Sequence, residues 1–479
     1  MNPSDARYLL TAYNDDLDRQ GIRPRSYVRN YGCQMNERDA EKLRALLSQL
    51  GYEPVNKQED ADLILYNTCC VRESAEDKVF GHLSRIKSMK AVNPRLFVVV
   101  CGCMTQRPEI AETFRAKHRY INVVCGTANR HRLPDMIWHS IQTGGQVIDT
   151  NEDEGLPELT DVPVTTREYA HKAGVNIMYG CDNYCAFCIV PYVRGREKSR
   201  SVKDILDEVR ELANDGVREI MLLGQNVNAY AREGGGGGFR SLESEVARRN
   251  PPPPPSLAFP SLLRQVHEIP GILRIRFMTS HPKDFSDELI ATIRDLPKVC
   301  KTVHLPLQSG STRILTDMNR RYTKEQYLAL CDRLQTAVPG IGITTDIIVG
   351  YPGETEEDFE ETMDVARRVR FSGAFTFIYS KRSGTPAASR TDMVARKTAN
   401  ERFERLTAVV YPIMLERNRG LVGQTVEVMV EREGKGRTDD NTLVHFDKID
   451  NATYKPGGII SVQITEAKSF YVSGAVNKS

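Results

Sequence analysis

Cys181-Asp182-Asn183-Tyr184-Cys185-Ala186-Phe187-Cys188 places three thiols within eight residues, in a loop that follows an apolar, strand-like run. Thiolates so spaced can wrap one face of a cubic iron–sulfur cluster. Three ligands for four irons leave one iron open, and an open coordination position is what substrate chemistry requires. A structural zinc would need a fourth ligand to close its tetrahedron, and no His or Cys stands at finger spacing nearby. The pattern favours iron–sulfur ligation over zinc and over inert buried thiols.

Cys33, Cys69 and Cys103 form a second, far more dispersed trio. Each falls just past an apolar run, but Cys70, Cys101 and Cys125 lie equally near such ends, and buried cysteine is an ordinary core residue. Position alone does not select three from these six. The chain holds eleven cysteines, an odd number. In a reducing compartment disulfides are rare, so clustered cysteines read as metal ligands and scattered ones as small core side chains.

The elements that must carry these thiols alternate between strand and helix. In the first 145 residues, apolar runs at 26–29, 61–66, 96–100 and 121–124 read as strands, with helical stretches at 37–50 and 74–91. Short strands with intervening helices predict a doubly wound parallel sheet, covered on both faces, that binds ligands at its strand carboxyl ends. After a polar, acidic stretch at 149–168, six more strand candidates follow at 175–178, 219–223, 274–278, 302–305, 343–349 and 374–379. Helical runs at 202–212, 284–293, 324–334 and 356–369 separate them, which predicts a partial (β/α)6 barrel. A glycine run at 234–238 and a proline run at 251–255 bracket an aperiodic insertion that reads as a surface loop. A charged helix at 396–419 precedes strand-like runs at 425–430, 442–446, 458–464 and 471–474, which predict a small all-β barrel. The expected domains are 25–145, 165–395 and 416–478.

Composition limits the function classes. Hydrophobic residues make up 40% and charged residues 27%, the balance of a folded globular protein. The net charge of +2 provides no global field for nucleic acid, so any such binding must come from local patches. No eighteen-residue apolar run exists to cross a membrane. The first 25 residues contain Asp5, Asp15, Asp16 and Asp18 and lack an apolar core, unlike a secretory signal or an acid-poor transit peptide. These features predict a cytoplasmic protein.

The words around the cysteines carry a resemblance. A Cys-x-x-x-Cys-x-x-Cys loop after the first strand of a β/α barrel resembles the radical S-adenosylmethionine (SAM) superfamily. Tyr31-Gly32-Cys33-Gln34-Met35-Asn36, Asn67-Thr68-Cys69 and Gly102-Cys103 resemble the amino-terminal motifs of the methylthiotransferases within it. Gly180-Cys181 and Cys188-Ile189-Val190-Pro191-Tyr192-Val193-Arg194-Gly195-Arg196-Glu197 resemble the two ends of their cluster loop. Leu223-Gly224-Gln225-Asn226-Val227-Asn228, His281-Pro282-Lys283-Asp284, Gln308-Ser309-Gly310-Ser311 and the stretch at 345–355 are similar too. The resemblance spans nearly the whole chain.

The resemblance implies two 4Fe–4S clusters. Cys181, Cys185 and Cys188 would hold the radical SAM cluster, and Cys33, Cys69 and Cys103 an auxiliary one. Cys70 stands where the family often has Ser and is read as tolerated; Cys101, Cys125, Cys300 and Cys331 are read as packing. In the family, reduction of the first cluster splits SAM to a 5′-deoxyadenosyl radical, and the auxiliary cluster supplies sulfur that a second SAM methylates. Gly224, Gln225, Asn226 and Gly350 sit where the superfamily grips SAM, although turn chemistry explains the same residues.

Two features bear on the substrate. Arg194, Arg196, Lys198 and Arg200 form a cationic run that suits RNA phosphates or simple solvation, and relatives acting on a ribosomal protein carry a similar run. Gly224-Gln225-Asn226-Val227-Asn228 resembles the branch that converts N6-dimethylallyladenosine at position 37 of tRNA to its 2-methylthio form. The carboxyl-terminal module, with Gly436-Arg437-Thr438 and Val444-His445-Phe446, resembles a TRAM domain, a small RNA-binding barrel. The expected partners are tRNA and an electron donor, with the enzyme a monomer. The alternatives are a methylthiotransferase for threonylcarbamoyladenosine or a ribosomal protein, and a non-catalytic, metal-bound RNA-binding module.

Overall fold

The computed structural model describes residues 3–70, 73–151, 167–231, 255–447 and 455–477. The insertion at 234–255, Pro255 apart, and most of the acidic stretch at 149–168 lie outside the described residues. The chain divides into two compact units: Met1–Glu168 with Ile189–Gly195, and Tyr169–Cys188 with Arg196–Ser479.

The first unit is built on a parallel sheet of β1 (Arg25–Asn30), β2 (Glu53–Pro54), β3 (Leu63–Thr68), β4 (Phe97–Gly102), β5 (Val123–Cys125) and β6 (Val147–Asp149). Its order is β2-β1-β3-β4-β5-β6. Every residue of β3 is buried, as a strand covered on both faces must be. Leu43, Leu46, Val99, Cys101 and Ile137 pack on one face, and Ile64, Tyr66, Leu83, Val100 and Phe114 on the other. All the strands are parallel, but β2 is added on one side of β1 and β3 to β6 on the other, so the β1/β3 boundary is the topological switch point, where such sheets bind ligands. Beyond the expected elements, a helix at Pro3–Arg19 joins this unit: it buries Leu10, and Asn14 Nδ2 donates to Leu50 O at 2.7 Å. β2, of two residues, and β6, of three, are too short to announce themselves as apolar runs.

In the second unit, β7 (Lys172–Asn176) starts a parallel series, and the expected strand at 175–178 divides. Asn176 ends β7, and β8 (Met178–Tyr179) instead pairs antiparallel with β9 (Lys198–Ser199). That short ribbon brackets the cysteine loop. The series continues with β10 (Glu219–Leu223), β11 (Arg274–Phe277), β12 (Thr302–His304), β13 (Gly342–Val349) and β14 (Gly373–Ile378). It forms two three-stranded halves, β7-β10-β11 and β12-β13-β14. A bridge between Ile275 and Val299, and a hydrogen bond from Ser280 N to His304 O at 3.2 Å, join them. Helix starts are set by side chains: Ser201 Oγ accepts from Asp204 N at 3.1 Å, and Thr355 and Asp358 cap each other's backbone.

The carboxyl-terminal strands, β15 (Thr425–Arg432), β16 (Lys435–Arg437), β17 (Leu443–Phe446), β18 (Ile459–Ala467) and β19 (Val472–Val476), close a five-stranded barrel around Val428, Val444, Ile460, Val462 and Val472. Arg276, 3% exposed, fastens this barrel to the larger sheet. Its Nε donates to Glu219 Oε2 at 2.9 Å, and its Nη atoms donate to Thr438 O at 2.8 Å and Asp439 O at 3.0 Å. Arg274 Nη1 donates to Arg437 O at 2.6 Å, Lys301 N to Asp439 Oδ2 at 3.0 Å, and Lys172 pairs with Glu431 at 2.9 Å. Lys172 and Arg274 open their strands and Lys301 immediately precedes β12, so the attachment is at the sheet's amino-terminal end. No helix among the described residues is long and apolar enough to cross a membrane.

Candidate iron–sulfur sites

The switch point of the first sheet gathers the dispersed thiols. Cys33 caps the helix at Gln34–Gln49 after β1, Cys69 follows β3, and Cys103 follows β4. These three strands are neighbours, with Asn30 paired to Asn67 and Thr68 to Gly102. Adjacent strands lie about 4.8 Å apart, so the three thiols emerge side by side. Asn36 stands among them: its Oδ1 is 4.0 Å from Cys33 Sγ and 3.9 Å from Cys103 Sγ, while its Nδ2 donates to Thr68 O at 2.8 Å. Gly102 makes the close approach possible. It has φ +108°, and a Cβ there would lie 2.4 Å from Thr68 O.

Arg194 donates through Nε to Cys103 Sγ at 3.1 Å and through Nη2 to Asn36 Oδ1 at 2.5 Å. Burial opposes a charge at Asp39, but Arg130 and Arg194 outweigh it and hold that carboxyl below its usual range. The Cys103 thiol is pushed down, first by a hydrogen bond with Cys70 and then by Arg194, and Cys70 is pushed up. Burial raises Cys101 to about 12 and takes Cys125 well above its usual value. Both lie within strands, β4 and β5, in the core of the sheet.

In the second unit, Gly180 (φ +67°) turns the chain out of β8 into the cysteine loop. Cys188 N donates to Cys185 O at 2.9 Å, bending the loop back on itself. Met318 O accepts from Ala186 N at 2.9 Å, and Asn319 Nδ2 donates to Tyr184 O at 3.0 Å. Arg320 Nη1 donates to Cys185 Sγ at 3.3 Å, with its Nε donating to the Tyr322 hydroxyl at 3.2 Å. Burial raises the Cys181 thiol to about 11.

Each trio therefore has a buried arginine bonded to one of its sulfurs. This donor set suits a soft, anionic cluster, because iron-bound thiolates keep negative charge on sulfur and accept N–H···S bonds. Among the described residues, no three His, Cys, Asp or Glu side chains gather as a single-ion site would. A cubane spreads its ligands around four irons and asks for a wider arrangement.

The four SAM candidates occupy different environments. Gly224 follows β10, where a Cβ would lie 2.5 Å from Met178 Cγ, and Gly350 follows β13, where a Cβ would lie 2.7 Å from Ala399 Cβ. Asn226 is 1% exposed: its Oδ1 accepts from His281 N at 3.1 Å and its Nδ2 donates to Asp284 Oδ2 at 2.9 Å. Gln225, between them, is half-buried. The cationic run also divides. Arg194 and Arg200 point inward, Arg200 to Asn176 O and Glu208, while Arg196 is 68% exposed beside Asp182. Sequence reasoning missed Asn36, Asp39, Arg130, Asn319 and Arg320. Asn319 and Arg320 had a local signal, the polar word Asn319-Arg320-Arg321 closing a helix, and Asn36 stood in the Tyr31–Asn36 motif without a role of its own; Asp39 and Arg130 had no local signal.

Comparison with known proteins fits this geometry. The radical SAM superfamily matches residues 175–366, the uncharacterized protein family UPF0004 residues 25–126, and the TRAM domain residues 419–476. The tRNA-2-methylthio-N(6)-dimethylallyladenosine synthase of Thermoanaerobacter pseudethanolicus is 47% identical over 455 residues, covering 94% of this chain and 92% of the relative. That of Alkaliphilus oremlandii is 44% identical over 481 residues, covering 99% and 96%. Among solved structures, the radical SAM methyltransferase TsrM of Kitasatospora setae superposes with a TM-score of 0.51 at 15% identity, covering 76% of this chain and 75% of that one, a likeness of fold alone. At such identity over nearly its whole length, the chain belongs to the family of tRNA-2-methylthio-N(6)-dimethylallyladenosine synthases within the radical SAM superfamily.

Proposed function

We propose that this chain converts N6-dimethylallyladenosine at position 37 of tRNA to its 2-methylthio form, using two molecules of SAM. The observation that carries the reading is the pair of thiol trios, each beside strand ends and each bonded by a buried arginine, in a chain 47% identical to a synthase of that name. When bound, a cluster on Cys181, Cys185 and Cys188 supplies the electron that cleaves SAM, and one on Cys33, Cys69 and Cys103 supplies sulfur.

The chain's own residues do the remaining work. Asn319 and the Met318 carbonyl fix the backbone of the cysteine loop, and Arg320 holds the Cys185 sulfur. Gly224, Gln225, Asn226 and Gly350 shape the wall of the SAM site, the glycines by close packing and Asn226 by pinning the turn at His281. The TRAM barrel adds affinity for tRNA and contributes no thiol. The target base leaves its stack to meet the site, as enzymes acting on a base require. Electrons come from a separate donor in the cytoplasm, and a single chain carries both trios.

The test offers prenylated tRNA, threonylcarbamoylated tRNA and the ribosomal protein side by side with methyl-labelled SAM. Label is expected only in the prenylated tRNA, with 5′-deoxyadenosine and S-adenosylhomocysteine both formed. Label in either competitor instead would overturn the proposed substrate.

A further inference from the structure

We infer that Arg194 is a positioning residue for the auxiliary cluster, holding the Cys103 sulfur and raising the cluster's reduction potential. The inference rests on the assignment of Cys33, Cys69 and Cys103 as ligands.

The side chain of Arg194 is 5% exposed, and its partners account for the whole guanidinium. Nε donates to Cys103 Sγ at 3.1 Å, Nη1 to Met35 Sδ at 2.8 Å, and Nη2 to Asn36 Oδ1 at 2.5 Å and Asp39 Oδ2 at 3.2 Å. Asp39 also pairs with Arg130 at 2.5 Å, both 4% exposed. Two guanidinium groups thus share one carboxylate, leaving one positive charge uncompensated in a buried place. Such a charge is costly without an anion, and the sulfur of Cys103 is the anion Arg194 faces. The backbone is held as firmly as the side chain: Val193 O accepts from Thr127 Oγ1 at 2.7 Å, and Ile189 and Val193 are buried in the core of this unit. A fixed cation and an N–H···S bond at a ligand sulfur both favour the added electron of the reduced cluster. Arg194 therefore answers to the cluster rather than to RNA phosphate.

Full-length protein with Cys181, Cys185 and Cys188 replaced by Ala isolates the auxiliary cluster. Iron and sulfide are measured after anaerobic reconstitution, and the midpoint potential by a titration followed by electron paramagnetic resonance. The parent should hold about four irons. Arg194→Gln should shift the potential negative by at least a tenfold change in the oxidised-to-reduced ratio, or 59 mV for one electron. Arg194→Lys, which keeps the charge without the fork, should fall between. Asp39→Asn, which frees more positive charge, should shift it positive. A purely structural role predicts no such opposition of sign. If Arg194→Gln fails to load, Asp39→Asn decides: a positive shift supports the inference, and no shift or a negative one overturns it. Full loading with unchanged potentials overturns the inference alone, while a parent without iron overturns the ligand assignment and the inference together.

Discussion

If Cys33, Cys69 and Cys103 hold a cluster as proposed, Gly102→Ala should remove it and leave the one on Cys181, Cys185 and Cys188. Gly102 ends β4 with φ +108°, and an added Cβ would lie 2.4 Å from Thr68 O, 2.7 Å from Thr68 N and 2.9 Å from Asn67 Oδ1. Thr68 O already accepts from Cys103 N at 3.1 Å, so the methyl group intrudes on the contact that sets Cys103 beside Cys69. Left-handed backbone at a residue with a side chain costs about 1–3 kcal/mol, and overpacking a further 1–3 kcal/mol. The chain can relieve much of this by moving the strand ends apart. Restoring an ordinary carbon–oxygen contact of about 3.3 Å takes a shift of about 1 Å. Metal ligation tolerates only about 0.2 Å, so the relief that saves the fold removes the cluster. Anaerobically reconstituted protein should fall from about eight irons to about four, with the radical SAM cluster's spectrum retained. Gly81→Ala is the control. It lies in the helix at Glu73–Val92 with nothing within 4 Å of its Cβ, and should gain about 0.5–1 kcal/mol while keeping both clusters. Gly102→Ala protein with about eight irons and wild-type melting would refute the reasoning.

Replacing Cys181, Cys185 and Cys188 together by Ala should halve iron and sulfide and abolish 5′-deoxyadenosine formation; wild-type protein that takes up only zinc would end the cluster reading. Arg276→Met strands Glu219 and two carbonyls of the TRAM barrel, and should cost about 3–5 kcal/mol in urea unfolding. Adding Glu219→Gln should recover part of that loss, and a double variant no more stable than Arg276→Met contradicts the pairing. The Asp358 carboxyl is disfavoured by burial, but Arg313, Ser311 and Thr355 outweigh this and hold it well below the usual range. Its stabilisation is complete above the unfolded value near 4 and is lost as pH falls through the lower native value. Asp358→Asn should therefore flatten the acid limb of the stability curve, and identical acid limbs would count against it.

What the sequence made legible was whatever repeats over a few residues. The apolar runs of β3, β4 and β13, and the helix Glu356–Val369, stand close to where periodicity puts them, and the cysteines follow the strand ends. Short pieces escaped: β2 has two residues and β16 three, too few for a period. The larger misses are long-range. Arg194 lies 158 residues from Asn36, and Arg276 lies 163 from Asp439, so nothing local marks either side chain as buried. Read along the chain, Arg194 is one of four neighbouring cations; folded, it is closed among Met35, Asn36, Asp39 and Cys103. Asn226 shows the reverse. Its motif marks it for a ligand, and its side chain is engaged in holding a turn.

The path of the chain through the first unit bears on how it is made. Met1–Glu168 makes up most of that unit, Tyr169–Cys188 belongs to the other, and Ile189–Gly195 returns. A ribosome adding about 5–20 residues per second completes the sheet before Arg194 has been synthesised. For a time on the order of seconds, the nascent sheet presents Cys103 and Asp39 without their guanidinium partner. Newly made protein thus passes through a stage in which every strand of the sheet has been synthesised but Cys103 lacks its bond to Arg194. A genetic fragment ending at Glu168 would lack that guanidinium altogether. The boundary suggested by sequence composition is therefore a poor place to cut the gene, and recombination there would separate Cys103 and Asp39 from a partner encoded downstream.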